Sequence, residues 1–331
     1  MSIQTERKPI EMIVDSERFQ SDKRPWFGQL PEQLGTRDFS FAVMGDRCGM
    51  SINGVFEKGL EVLKDLKPEF VLFVGDLIEG YWEDKAEAHE EWDYIDAKIQ
   101  ETGLPFFQTI GNHDFGTQAV VDAWSERKGH EYYAFRVGDA LYLFVNTEDP
   151  FDPLPEDFRI LVKRITEKVH EDPDHAADHL KEFYGEIMAG LTPEQLKEMG
   201  KITMKIGDRQ LAFFEKVLAD NADAKHTFVT MHRPGWKTED PAFAKLEEML
   251  KGREYTIFSG HLHSMEYTKQ DNRRYIQLGR TGAAPHGNGR GDENLVLWVT
   301  MTNGQPSFRV IHLDGVGDIE QYPPAAHHHG E

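Results

Sequence analysis

The sequence predicts a protein of the α/β class. Three apolar runs, FSFAVMG (39–45), EFVLFVG (69–75) and PFFQTIG (105–111), are typical of buried strands, and segments with helical spacing of apolar residues separate them. Strands that alternate with helices indicate βαβ units and a parallel sheet. The apolar runs of the C-terminal part are joined by short turns instead, which predicts antiparallel strands there.

The main domain is expected over residues 38–315, after a polar, irregular arm at 1–37. Within it, the apolar spacing predicts helices over 54–66 and 83–101. Two strands are predicted on either side of Gly138-Asp139.

Residues 151–205 break this alternation. They are charged, rich in helix formers and interrupted by prolines, and they are interpreted as a helical insertion over one edge. An amphipathic helix is predicted at 208–220, followed by strands that end in histidine at 226–232 and 255–263. The remaining strands are predicted at 265–270, 273–279, 294–302 and 306–313. The tail at 316–331, which ends in AAHHHGE, is expected to lie outside the domain and to be disordered towards its end.

Composition narrows the classes of function. The chain of 331 residues is 39% apolar and 29% charged, as expected of one large soluble α/β domain with insertions. With 37 basic and 58 acidic residues, its net charge is −21, which disfavours binding to nucleic acid. An anionic substrate remains compatible with this charge if a bound metal reverses the sign locally.

The single cysteine, Cys48, excludes an internal disulfide. The N-terminal segment lacks the apolar core of a signal peptide, and no stretch approaches the roughly 18 apolar residues that span a bilayer. The sequence therefore predicts a soluble, cytoplasmic protein without a membrane partner, and it gives no oligomeric state.

Five predicted strands end in polar residues. The strand ends carry GDRCG, GDLIEG, GNHD, MHRPG and GHLH. Ligand sites of open α/β sheets form at the carboxyl ends of strands, and carboxylate, amide and imidazole groups suit borderline and hard divalent metals. The candidates for one cluster are Asp46, Asp76, Asn112, His113, His232, His261 and His263.

This ordered series, GD…GDLIEG…GNHD…MH…GHLH, resembles the calcineurin-like metallophosphoesterase superfamily over residues 39–263. The sequence around these motifs is similar to that of a bacterial branch with Asp-Arg-Cys in place of the usual first motif, Asp-x-His. The resemblance implies a four-layer α/β/β/α sandwich of two mixed sheets with a helical insertion. It also implies a phosphoesterase with two metal ions, of Mn, Fe or Zn, whose bridging hydroxide attacks a phosphomonoester or phosphodiester in line.

The resemblance also implies a role for each matching residue. Asp76 would bridge the two ions, and Asp46 and His263 would bind the first. The ligands of the second ion would be Asn112, His232 and His261. His113 would face the substrate and donate a proton to the leaving oxygen, and Asp114 would hold its imidazole in orientation.

Cys48 stands where the superfamily has the histidine of its first motif. It could bind as a thiolate, it could be too short to reach the ion, or the first ion could bind weakly or be absent. The second alternative is favoured, because a lone thiolate among oxygen ligands is uncommon and a single cysteine is often a small buried hydrophobe. Purple acid phosphatases also lack this histidine and use a tyrosine three residues after the bridging aspartate. Glu79 occupies that position here, as an oxygen ligand or as a helix-capping or solvated acid.

Three arginines lie in or beside the motifs, and arginine recognises phosphate bidentately. Arg47, Arg233 and Arg280 are therefore candidates for substrate binding, and Arg47 is favoured because it lies inside the first motif.

The leading hypothesis is a dinuclear metal-dependent phosphoesterase that acts on a small phosphorylated substrate. The alternative is a non-catalytic scaffold with a degraded first metal site, for which Cys48 is the only support. Nuclease action fits the superfamily but not the net charge of −21.

Overall fold

The computed structural model describes residues 10–190, 192–194, 201–286, 289, 291–313, 315–317 and 319–322. In these residues the strands are β1 (Glu11–Val14), β2 (Trp26–Phe27), β3 (Phe39–Met44), β4 (Val71–Phe73), β5 (Phe106–Gln108), β6 (Tyr133–Val137), β7 (Ala140–Val145), β8 (His226–Met231), β9 (Tyr255–Ser259), β10 (Glu266–Gln270), β11 (Arg273–Gln277), β12 (Leu295–Thr302), β13 (Gln305–His312) and β14 (Gly315–Gly317). The α-helices are α1 (Val55–Leu66), α2 (Lys85–Glu101), α3 (Gln118–Arg127), α4 (Glu156–Glu171), α5 (Ala176–Gly190), α6 (Asp208–Asp220) and α7 (Pro241–Met249).

The strands form two seven-stranded mixed sheets. The first has the order β14-β13-β12-β3-β4-β5-β2, and its strands β3, β4 and β5 are parallel neighbours. The second has the order β1-β6-β7-β8-β9-β11-β10, with β7, β8, β9 and β11 parallel. The predicted βαβ units and C-terminal antiparallel strands are both present.

Alternation of side chains along the strands places the sheets face to face. Phe41 and Val43 of β3 and Phe228 of β8 point into a shared apolar layer between the sheets. Their neighbours Ala42 and Met44 pack on the other face against α1, α2 and α3, because successive residues of a strand face opposite sides.

The second sheet packs its outer face against α6 and α7. The predicted four-layer α/β/β/α arrangement of two mixed sheets is therefore confirmed. The helix α7 was not predicted, although its signal is local: Asp240 caps the first turn by accepting from the amide of Ala242, and Pro241 follows at the first helical position.

Residues 1–37 were predicted to form an irregular surface arm. This prediction is wrong for the described part of the segment. Strand β1 pairs with β6, and the two-residue strand β2 pairs with β5. The segment thus adds an edge strand to each sheet. Residues 1–9 lie outside the described residues.

The segment predicted as a helical insertion contains α4 and α5. Their apolar sides pack on Met50 and Tyr81, from the loops after β3 and β4, and on Ala284, from the segment between β11 and β12. The insertion therefore rests on the end of the first sheet where the motifs lie, and residues 191 and 195–200 lie outside the described part of the chain.

The predicted C-terminal tail begins inside the fold. Strand β14 pairs with β13, and Ile319 and Tyr322 are buried. The histidine-containing end at 323–331, predicted to be disordered, lies outside the described residues. Among the helices that the structure does describe, none combines the length and apolar composition that crossing a bilayer requires.

Candidate metal centre

The motif residues of both sheets meet at one end of the sandwich. Strands β3, β4 and β5 of the first sheet lead into Asp46, Asp76 and Asn112, and β8 of the second sheet leads into His232. His232 is fully buried and joins the two sheets: its Nδ1 lies 3.1 Å from the carbonyl oxygen of Val74 and 3.4 Å from Asp46 Oδ1.

Three candidate ligand atoms converge around His232. Its Nε2 lies 3.0 Å from Asn112 Oδ1 and 3.1 Å from Asp76 Oδ2. Atoms that share one ion at roughly 2.1 Å in neighbouring coordination positions lie about 3 Å apart. The spacing of this amide, carboxylate and imidazole therefore fits a common cation.

Two carboxylates are buried in this site. Asp46 and Asp76 are 0% and 1% exposed, and ligand atoms of both lie within 4.8 Å of one another and of a His232 ring nitrogen. Burial raises the pKa of Asp46 to about 7, with a further contribution from the charge of Asp76. Burial also acts on Asp76, but the charges of His232 and His113 hold its pKa below the usual value. A divalent cation would satisfy both carboxylates, since a buried charge needs a compensating partner.

His232 responds to the same charges. Burial opposes its protonation, but the neighbouring carboxylates of Asp76 and Asp46 raise its pKa to about 9. A protonated imidazole thus substitutes for part of the positive charge that a metal would supply. Metal binding would displace this proton, because only the neutral imidazole is a ligand.

The remaining two histidines favour the neutral form. Burial lowers the pKa of His261, helped by the charge of Arg233, and burial lowers that of His263, helped by His286. The Nδ1 of His263 lies 2.7 Å from the carbonyl oxygen of Ala284, which can only accept, so Nδ1 carries the proton and Nε2 keeps its lone pair. A carbonyl on one nitrogen is the usual way in which proteins orient a histidine ligand.

The backbone is left-handed at three of the candidate ligands. Asp76 has φ 64°, His261 has φ 73° and His263 has φ 54°. This region is unfavourable for residues with a Cβ and persists where the surrounding structure enforces it, as it often does at functional sites. The amide of His261 shows one such constraint, since it donates to both carboxylate oxygens of Asp46 at 3.0 and 3.1 Å.

Two glycines leave room for the carboxylates. A Cβ on Gly260 would lie 2.6 Å from Asp46 Oδ1, and one on Gly111 would overlap the carboxylate of Asp76. Gly260 and Gly111 are therefore required because the backbone passes too close to these two carboxylates to leave room for a side chain.

His113 lies beside this cluster, half-buried. Its amide donates to Asp76 Oδ1 at 2.9 Å, and its Nδ1 lies 2.6 Å from the carbonyl oxygen of Glu79. Burial works against protonation, but the charges of Asp76 and Glu79 raise the pKa of His113. With Nδ1 donating to a carbonyl, Nε2 is the nitrogen that can exchange a proton with a substrate.

The prediction that Asp114 orients the imidazole of His113 is wrong. Asp114 Oδ1 accepts from the amides of Leu77 and Ile78, and Oδ2 accepts from those of Asp76 and Gly111, at 2.8 to 3.2 Å. Both carboxylate oxygens thus bind backbone, and the Glu79 carbonyl takes the orienting role. Asp114 fixes the loop that carries Asp76 and joins it to the loop after β5.

Cys48 is fully buried, and its thiol donates to the carbonyl oxygen of Ile78 at 2.6 Å. Burial, together with the charges of Asp76 and Glu79, raises its pKa, so the group is a thiol at neutral pH. Its sulfur lies within 4.8 Å of ligand atoms of Glu79 and His113. In this state Cys48 is a hydrogen-bond donor to the loop after β4.

Glu79 is also buried, at 2% exposure. Its Oε2 accepts from the amides of Gly49 and Met50 at 3.3 and 3.0 Å, and its Oε1 accepts from that of Ser51 at 2.7 Å. The carboxylate is neither solvated nor the cap of a helix. It anchors the loop that follows the first motif.

The three candidate arginines have partners within the protein. Arg47 is buried and binds Glu91 and the carbonyl oxygen of Leu77, and Arg280 binds Asp292 and Asn294. The predicted substrate role is wrong for Arg47 and Arg280, because their guanidinium groups already bind groups of the protein.

Arg233 forms a bidentate pair with Glu148, at 2.6 and 3.0 Å. It directly follows His232 in the chain, and its charge contributes to the lowered pKa of His261 in the candidate metal centre. Of the three arginines, Arg233 is the one that stays a candidate for contact with a substrate.

Several contributors to the site were missed. The partners Glu91 and Glu148 come from segments without a motif. Ala284 and His286 lie together in the Gly-rich segment TGAAPHGNGRG (281–291), and His286 stacks on His263 with ring centroids 3.9 Å apart. The Gly-rich loop around His286 was the one available signal. The others become visible only once the chain is folded.

Comparison with known proteins agrees with this geometry. A sequence profile of calcineurin-like phosphoesterases matches residues 39–265. Over 114 residues the chain is 29% identical to the serine/threonine-protein phosphatase CPPED1 of Rattus norvegicus, and the match covers 33% of this chain and 36% of the rat protein. The Mus musculus counterpart is 28% identical over 117 residues, with 33% and 36% covered. The chain thus matches about a third of the length of these curated relatives.

Solved structures share the fold. A dimetal phosphatase from Danio rerio has a TM-score of 0.52 at 11% identity, covering 84% of this chain and 96% of that one. A purple acid phosphatase from yellow lupin (Lupinus luteus) seeds has a TM-score of 0.55 at 13% identity, covering 86% and 53%. Because the sequence profile covers well over half of the chain and includes every motif strand end, the chain belongs to the calcineurin-like phosphoesterase family.

Proposed function

We propose that this protein is a metal-dependent phosphoesterase that hydrolyses a small phosphorylated substrate at a two-metal centre. The observation that carries the proposal is the convergence of Asp46, Asp76 and Asn112 on His232, with side-chain oxygens 3.0 to 3.4 Å from its ring nitrogens in a buried cluster. Two carboxylates buried side by side are costly unless positive charge compensates them, and a bound cation would supply that charge.

The donor set fits borderline or hard divalent ions, with Mn, Fe or Zn as the candidates. Asp76 would contact both ions, Asp46 and His263 would hold the first, and Asn112, His232 and His261 the second. When bound, such ions supply Lewis-acid stabilisation of a phosphoryl group and a nucleophile that is effective at neutral pH.

The residues of the chain perform the remaining tasks. The Glu79 carbonyl keeps Nδ1 of His113 protonated, so Nε2 can deliver a proton to the leaving oxygen. The carbonyls of Val74 and Ala284 orient His232 and His263, and Asp114 keeps the loop of Asp76 in place through four amides.

The first metal position has fewer assured protein ligands than the second. Cys48 donates its hydrogen to Ile78, and Glu79 already binds three amides, so neither adds a clear ligand to Asp46, Asp76 and His263. We therefore propose that the first ion is the more labile one.

The test is hydrolysis of p-nitrophenyl phosphate and bis-p-nitrophenyl phosphate by chelated protein, before and after addition of manganese, iron or zinc. A phosphoserine peptide is a third substrate, since the rat and mouse relatives are named serine/threonine-protein phosphatases. The proposal expects loss of turnover on chelation and its return with metal. Turnover that survives complete chelation would refute it, and inactivity on every substrate with metal bound would favour the scaffold.

A further inference from the structure

The loop of residues 49–51, which follows the first motif, lies close to two imidazoles of the candidate centre. Gly49 has φ +93°, and a Cβ on it would lie 3.0 Å from His263 Cε1 and 3.7 Å from His113 Nε2. The space that a side chain on Gly49 would occupy is thus bounded by both rings. Since protein interiors are close-packed, a displacement of the loop would be transmitted to the rings.

Glu79 holds the loop from one side. Its buried carboxylate accepts hydrogen bonds from the amides of all three loop residues, Gly49, Met50 and Ser51, at 2.7 to 3.3 Å. Three hydrogen bonds satisfy most of the acceptor capacity of this side chain. They fasten the loop after β3 to the loop after β4.

The inserted helices hold the loop from the other side. His170, in the last turn of α4, lies with Nε2 2.9 Å from the carbonyl oxygen of Ser51, which can only accept, so His170 donates. The same nitrogen is 3.2 Å from Ser51 Oγ. Met50 packs in one apolar cluster with Val162, Ile165 and Val169 of α4.

We propose that Glu79 and His170 are positioning residues of the phosphoesterase site. Together they fix the 49–51 loop beside His263 and His113, so the insertion supports the catalytic geometry. The inference rests on the proposed function and deepens it. It also gives Glu79 a task other than binding the first metal ion.

The kinetic test compares His170→Ala and Glu79→Gln with His175→Ala, a control in the same insertion whose ring is exposed and pairs with Asp172. We expect His170→Ala to lower kcat on p-nitrophenyl phosphate by about 10-fold, because small misplacements of catalytic groups are costly. Metal content and KM should stay near wild type. His170→Gln, whose side-chain amide can donate to the same carbonyl, should retain most of the rate.

The double variant Glu79→Gln/His170→Ala tests whether both residues act through one loop. Its kcat should be no lower than that of the less active single variant, since the effects of two changes on one shared loop are not additive. An unchanged kcat in His170→Ala, multiplicative losses in the double variant, or loss of a metal ion in Glu79→Gln would each overturn the proposal.

Hydrogen exchange gives a readout without substrate. Exchange at the amides of residues 49–51, followed by mass spectrometry, should be faster in both single variants and unchanged in His175→Ala. If the wild type proves inactive, the proposed function fails while this measurement still stands. If the enzyme is active but exchange is unaltered, the positioning role alone is refuted.

Discussion

The Nε2 of His232 lies 3.0 Å from the side-chain oxygen of Asn112, and this contact joins the second sheet to the first. The two residues follow β8 and β5, strands that belong to different sheets. A cation held between them would therefore tie the two halves of the sandwich together at the site.

Replacing Asn112 by alanine should weaken the second metal position. The change removes one oxygen from the group around His232, and losses of at least about 10-fold in metal affinity are expected, since changes in residues that merely orient ligands already cost that much. The metal affinity is measured by isothermal titration calorimetry, with Gln118→Ala, at an exposed position, as the control. Unaltered affinity would show that Asn112 is not a ligand.

Replacing His113 by alanine should lower turnover by about 10² to 10⁴-fold, because it removes the group proposed to donate a proton to the leaving oxygen. Metal content should stay near wild type, since the ring binds the Glu79 carbonyl and is not assigned as a ligand. His89→Ala, which removes a ring paired with Glu126 at the surface, is the matched control. Loss of metal from His113→Ala would mean that its role has been misassigned.

Asp114→Asn should reduce stability. An amide offers one acceptor oxygen, and its NH₂ group would face two backbone donors, so at least two of the four hydrogen bonds to amides are lost. With about 1.5 to 3 kcal/mol for a hydrogen bond to a charged group, a loss of roughly 3 kcal/mol in the free energy of unfolding is expected. Urea unfolding measures this, and a change under about 0.5 kcal/mol, the scale of surface substitutions, would contradict it.

Cys48→Ser should change metal content and rate little. The serine hydroxyl can donate to the Ile78 carbonyl as the thiol does, so the loop keeps its hydrogen bond. Elemental analysis and the rate on p-nitrophenyl phosphate are the measurements. Stoichiometric loss of one ion would instead identify Cys48 as a thiolate ligand and point to zinc or iron over manganese.

His226 should make the protein less stable in mild acid. Burial lowers the pKa of its ring to about 3, from 6.5 in an exposed setting, with a smaller contribution from Arg274. Below pH 6.5 the unfolded chain therefore binds a proton that the folded chain does not. The free energy of unfolding should fall as the pH drops from 6.5 towards 3, by up to about 1.4 kcal/mol per pH unit, and this contribution is fully present above pH 6.5.

The variant His226→Gln isolates this effect. Its stability measured by urea unfolding should depend less steeply on pH between 4.5 and 6.5 than that of the wild type. His89→Gln, at a more exposed histidine, is the matched control. Equal slopes for wild type and His226→Gln would refute the assignment.

The strand ends were predictable from sequence because each motif follows a local pattern: an apolar run is closed by a polar residue, which a glycine precedes in four of the five motifs. What escaped prediction depends on partners that are distant in the chain. Arg47 binds Glu91, 44 residues away, and Arg233 binds Glu148, 85 residues away, so neither pairing leaves a local signal. The role of Asp114 was misjudged for a related reason, since its partners are backbone amides, which no side-chain pattern reveals.

Short elements escaped as well. Strand β2 has two residues and β1 has four, which is too few to show a periodic pattern of apolar residues. Both strands form because they pair with the edge of a sheet.

The placement of β12 beside β3 has a consequence for biosynthesis. Phe39 and Met301 are paired residues of these strands, near opposite ends of the chain. At about 5 to 20 residues per second, a ribosome needs on the order of tens of seconds to supply β12 after β3 has emerged. Throughout that interval the edge of β3, the strand that leads into Asp46, is not paired with β12. An unpaired edge can associate with other chains, so the growing chain needs protection from such association until its last strands are made.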